Sequence, residues 1–101
     1  MSEHDAQKAI LDWLAYRRIF HWRNNSGAMV SEYKGRTRFM RFGSVGSPDN
    51  FAMHKGVCYG IEVKAEKGKQ SDAQKEFQVR FEAVGGVYVL AKGIDEVEKA
   101  M

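Results

Sequence analysis

Val57-Cys58-Tyr59-Gly60-Ile61-Glu62-Val63-Lys64 is the stretch on which the fold turns. Val57, Tyr59, Ile61 and Val63 alternate with Cys58, Gly60, Glu62 and Lys64, the two-residue period of a strand with one apolar face. Downstream, Lys67-Gly68-Lys69-Gln70 makes a turn. Ser71 followed three residues later by Gln74 is a capping-box signature, opening a helix whose apolar face is Ala73, Phe77, Phe81 and Val84. Gly85-Gly86 stops that helix, Val87 to Ala91 reads as a buried strand, and Ile94 to Met101 as a short terminal helix. Strand, helix and strand in this order predict a parallel pair joined by a helical crossover.

Upstream, Ile10, Trp13 and Leu14 fall at helical spacing, with Ser2 and Asp5 suited to a cap, so a helix is expected over 3–18. Phe20-His21-Trp22-Arg23 reads as a short strand, and Asn24-Asn25-Ser26-Gly27 as the turn that ends it. Residues 28–33 and 37–42 flank Lys34-Gly35-Arg36 as a hairpin with a basic tip. Residues 43–50 read as a loop holding Pro48, the one proline. The expected order is α-β-β-β-β-α-β-α, an α/β mixed sheet flanked by helices and a single domain over residues 1–101.

The chain has 101 residues, 44% hydrophobic and 29% charged, enough for a core without disulfides or a structural metal. Cys58 is the one cysteine, which excludes an internal disulfide. Three histidines and that cysteine lack the paired spacing of a zinc site. There is no apolar run of about 20 residues, and Met1-Ser2-Glu3-His4-Asp5 is too polar and acidic to open a signal peptide. The expectation is a cytoplasmic protein with no membrane partner. Net charge is +3 but unevenly spread: Arg17, Arg18, Arg23, Lys34, Arg36, Arg38 and Arg41 accompany a single acid, Glu32. That asymmetry suits a polyanion, nucleic acid first, or an ordinary solvated basic surface.

The chemistry-bearing residues are Pro48-Asp49 and Glu62-Val63-Lys64. Glu62 and Lys64 project from one face of their strand while Val63 packs behind and leaves its carbonyl close by. With Asp49 delivered from the preceding loop or strand, two carboxylates and a carbonyl make an all-oxygen site suited to Mg²⁺ or Mn²⁺. Such an ion polarises a phosphate and lowers the pKa of water, and Lys64 is placed to orient that water or to stabilise charge on the phosphate. The same residues also fit a plain one-sided sheet. Asp49 is then a turn residue after proline, Glu62 and Lys64 an ion pair, Gln74 a capping residue and Glu3 an acid favoured by the helix dipole.

Pro48-Asp49, Glu62-Val63-Lys64 and Gln74 resemble the PD-(D/E)XK nucleases, and more narrowly the virus-type replication-repair nuclease (VRR-NUC) domain of stand-alone type. The flanking matches run in order through Glu3, Trp22-Arg23-Asn24-Asn25-Ser26-Gly27, Gly46-Ser47, Gly68 to Gln74 and Gly85-Gly86-Val87-Tyr88. Asn50 stands where the family has an apolar residue. The resemblance implies a restriction-endonuclease-like fold in which Asp49 and Glu62 are metal ligands, Lys64 is the catalytic lysine, Gln74 an active-site polar group and Glu3 a further acid near the metal. It implies divalent-metal-dependent hydrolysis of DNA, with Mg²⁺ as cofactor, Mn²⁺ as substitute and no small-molecule cofactor. Stand-alone members look like homodimeric resolvases of four-way junctions, so branched DNA, a second copy and a bacterial or phage-infected cell are expected. Lys34, Arg36, Arg38, Arg23, Lys67 and Lys69 are the expected DNA contacts. Two alternatives stay open: a catalytically silent nucleic-acid-binding module, and a flap or repair nuclease dependent on a partner.

Overall fold

The structure, a computed structural model, describes residues 1–24, 28–33, 35–41 and 44–101, with side chains over 1–24 and 44–101. Helix α1 (Glu3–Tyr16) starts at Ser2, whose hydroxyl accepts from Asp5 N at 3.1 Å. It stops short of residue 18, where Arg18 turns into the left-handed region at φ 57°. Its buried stripe is Ala6, Ile10 and Leu14. Trp13, expected in that stripe, sits at its margin under the Arg17 guanidinium, 5.2 Å from the ring centroid.

β1 (Phe20–Arg23) follows, then β2 (Ala28–Tyr33) and β3 (Arg36–Arg41), which pair antiparallel as a separate two-stranded sheet. β4 (Asn50–His54) corrects the expected element order, which had four strands before the second helix where the structure has five. The segment Asn50-Phe51-Ala52-Met53-His54 holds no β-branched residue, so local preference does not announce a strand. Pairing on both sides, with β1 and with β5 (Val57–Val63), makes it one. Lys55 and Gly56, at φ 51° and 79°, form the two-residue turn between β4 and β5, and both take the left-handed conformation such tight hairpins use.

α2 (Asp72–Ala83) carries the expected capping box, Ser71 and Gln74 each holding the other's backbone N–H. β6 (Val87–Ala91) pairs parallel to β5, as the strand-helix-strand reading required, and α3 (Ile94–Ala100) closes the chain. The larger sheet is therefore mixed, in the order β1-β4-β5-β6.

Alternation gives the two faces of this sheet different tasks. Ala52, Tyr59, Ile61, Val63, Val89 and Ala91 face α1 and α3 and make the core with Ile10, Leu14 and Val97. Phe51, Gly60, Glu62 and Tyr88 fall on the opposite face, where Phe77 and Phe81 of α2 stack on each other and close on Phe51. Val84, expected on the apolar face of α2, is 84% exposed. It is the C-cap residue of α2, past the last helical turn. Gly60 is where this second face must be thin. A Cβ there would come within 2.9 Å of Pro48 Cγ and 3.2 Å of the Phe81 ring.

Candidate active site

The β4–β5 ladder ends at the pair Asn50↔Ile61, and Asp49, the residue just before β4, brings its carboxyl group within hydrogen-bonding and charge range of Glu62. Two carboxyl groups this close repel when both are ionised, so the pair calls for a proton or a cation between them. Glu62 is 2% exposed. Burial pushes its pKa up to about 8, helped by hydrogen bonding and charge from Asp49 and by the charge of Glu3, and opposed by Lys64. The Lys64 ammonium is 3.7 Å from Glu62 Oε2, with its side chain 17% exposed, so it joins the buried carboxylate to the surface.

Val63 links the two carboxylates through the backbone. Its N–H donates to Asp49 Oδ2 at 2.9 Å, while the next amide, Lys64, donates the other way to Ala91 O on β6. N–H and C=O of one strand residue point to the same edge, so the Val63 carbonyl lies on the Asp49 side. Asp49, Glu62 and this carbonyl form a hard oxygen donor set, and the repulsion within the carboxyl pair is what a divalent cation relieves. The residues present therefore fit Mg²⁺ or Mn²⁺.

Asn24 fixes the segment that delivers Asp49. Its amide nitrogen donates to Ser47 Oγ at 2.6 Å and Pro48 O at 3.0 Å, and its backbone N–H donates to Asp49 O at 2.7 Å. Pro48 is fully buried over Gly60, so the loop is held from both sides. Asn50 is fully buried on the other face. It exchanges two hydrogen bonds with the Gln7 amide of α1, at 2.8 and 2.9 Å. A polar residue is accommodated there because α1 offers a matching amide. The sequence carried a turn signal at Asn24 and nothing that paired Gln7 with Asn50.

The other expected site residues are distributed as follows. Gln74 Oε1 accepts from Ser71 N at 2.8 Å, so its carbonyl serves the cap. Glu3 lies in the first turn of α1 and lines, with Asp49, Gln7, Lys8, Leu11 and Arg23, a cleft of about 710 Å³. Its charge reaches Glu62, but among the described residues no group of three or more His, Cys, Asp or Glu side chains converges to hold a metal. Glu3 therefore borders the carboxyl pair without completing a three-carboxylate cluster. Arg23 is exposed at the rim of the cleft, and Lys67 and Lys69 are exposed on the segment between β5 and α2. The side chains of Lys34, Arg36 and Arg38 lie outside the described residues.

Among the described residues no helix is long and apolar enough to cross a membrane. No protein-family model matches the chain, and no curated protein matches it.

Proposed function

We propose that the chain is a divalent-metal-dependent DNA endonuclease with a restriction-endonuclease-like fold of VRR-NUC type, a single domain acting on branched DNA as a homodimer. The observation that carries this reading is the buried Glu62 with the Asp49 carboxyl group against it and Lys64 beside them. A sheet that used Glu62 and Lys64 only as a solvated ion pair would leave the glutamate exposed. Here it is buried next to a second carboxyl group, an arrangement that costs stability unless a cation uses it.

Asp49, Glu62 and the Val63 carbonyl would hold Mg²⁺ or Mn²⁺. A bound divalent ion supplies polarisation of the phosphate and lowers the pKa of water. Lys64 brings positive charge to the phosphate as negative charge builds on it. Asn24 and the Val63 N–H keep the Asp49 carboxylate in place. Arg23, Lys67 and Lys69, together with the basic hairpin residues Lys34, Arg36 and Arg38, supply the charge that holds a DNA backbone. Two-fold symmetry of a four-way junction favours a pair of such domains, since one copy has one carboxylate site for two symmetric cuts.

The test is cleavage of a labelled four-way junction, a flap and a plain duplex in Mg²⁺ or EDTA, with wild type and Asp49→Asn. Symmetric, Mg²⁺-dependent cuts on the junction that vanish in the variant are expected. Binding without cutting in either Mg²⁺ or Mn²⁺ would replace this reading with that of a silent DNA-binding module or of a nuclease needing a partner.

A further inference from the structure

Tyr88 is buried, 8% exposed, and its hydroxyl has no hydrogen-bond partner among the described residues. A phenol so enclosed forfeits its bonds to water, about 1–3 kcal/mol, unless some state of the protein restores one. Its place in the sheet shows where the hydroxyl can find an acceptor. Tyr88 pairs with Gly60 across the parallel β5–β6 ladder, and Gly60 shares its face with Glu62. The phenol's pKa is raised first by burial and then by the charges of Glu62, Asp49 and Glu82, against a lowering by nearby Gln70, so it is a neutral donor. Gln70 is the hydrogen-bonding neighbour behind that lowering, but it stops short of hydrogen-bond distance from the hydroxyl, and its amide nitrogen donates to Gln78 Oε1 at 2.9 Å.

We infer that Tyr88 is a positioning residue of the carboxyl pair, its hydroxyl donating to the Glu62 carboxylate when that carboxylate holds a divalent cation. This rests on the metal-site reading above and deepens it. A glutamate drawn toward a cation turns away from the proton it shares with Asp49 and exposes acceptor positions on its far side. A donor fixed in the adjacent strand fills one of them and holds the carboxylate's orientation, the part played by residues that support metal ligands from behind. Tyr88 touches neither substrate nor cation in this arrangement. The resting molecule carries an unmade hydrogen bond that cation binding completes.

The experiment is calorimetric titration of wild type, Tyr88→Phe and Tyr59→Phe with Mn²⁺ alone, beside thermal unfolding of each in EDTA. Tyr59 is buried on the opposite face of the sheet and serves as the control for losing a phenol hydroxyl. Tyr88→Phe should bind Mn²⁺ about 10–100-fold more weakly while its metal-free unfolding temperature stays the same or rises, and Tyr59→Phe should keep wild-type affinity. Equal affinity in wild type and Tyr88→Phe overturns the role of Tyr88 and leaves the metal site standing, whereas absence of Mn²⁺ binding by wild type overturns both. A second readout needs no variant to fold well. The carbon-13 resonance of Tyr88 Cζ in wild type should move on Mg²⁺ addition, and a resonance that stays put through saturation overturns the role.

Discussion

The Val63 amide donates to Asp49 Oδ2 across fourteen residues of sequence, so the aspartate is bonded to the backbone of the strand that carries Glu62 and Lys64. One hydrogen bond thereby ties the carboxylate from the loop to the residue between the other two chemical groups. The site's geometry depends on β5 ending where it does, with the Lys64 amide turned to β6 and the Val63 amide left for Asp49.

Lys64→Ala removes the positive charge that opposes the raised pKa of Glu62. Cleavage should fall by about 10²–10³-fold, the loss typical of one group aimed at developing charge. The acid limb of the pH–rate profile should also move to higher pH. A variant that loses rate with an unmoved acid limb would assign Lys64 to the phosphate alone.

Glu62 makes the metal-free protein pH-sensitive in a direction unusual for an acid. Its pKa is about 8 folded against an ordinary 4.5, so between these values the folded chain keeps a proton that the unfolded chain has lost. Its contribution is fully present below about 4.5 and is lost as pH rises through about 8, with a slope of at most one proton, about 1.4 kcal/mol per pH unit. Urea unfolding in EDTA across pH 5 to 9 should show that decline in wild type and a flatter profile in Glu62→Gln. Parallel profiles would refute it.

Gly60→Ala should damage the site before it damages the fold. The added methyl meets Pro48 Cγ at 2.9 Å and the Phe81 ring at 3.2 Å, and Pro48 precedes Asp49. Overpacking of this kind costs about 1–3 kcal/mol. Mn²⁺ affinity should drop in protein that still unfolds cooperatively; a stability loss with wild-type affinity would show that Pro48 moves without carrying Asp49 along.

Gln7 and Asn50 should behave as a unit. Replacing either by Leu strands the other amide, at a cost of about 1–3 kcal/mol, whereas the double Leu variant leaves no orphan. A double-mutant cycle on unfolding free energy should give a coupling within about 0.5–3 kcal/mol. Additive losses would mean that water satisfies each amide separately.

Much of this arrangement was legible in the residues because the signals were periodic or local. Alternation from Val57 to Val63 assigns Glu62 to the face opposite the core, and the Ser71–Gln74 pair marks the start of α2 to the residue. What the residues did not disclose depends on partners far away in the chain. β4 is a strand because of its neighbours rather than its composition, and Glu62 is buried on a face that alternation alone would leave wet. Gln74 illustrates the converse, since one local signature accounts for the bond its carbonyl accepts. The unpartnered hydroxyl of Tyr88 has no counterpart in the sequence at all, because a missing bond has no motif.

The turn at Lys55-Gly56 has a reach that its position conceals. It sits at the closed end of the β4–β5 hairpin while Asp49 and Glu62 sit at the open end, yet the number of residues it contains determines which side chains become neighbours there. A slip of one residue in the pairing would send Glu62 toward the oily interior and bring Val63 out in its place. Lengthening this distant bend by a single amino acid would thus rewrite the chemistry while leaving every acid and lysine of the sequence intact.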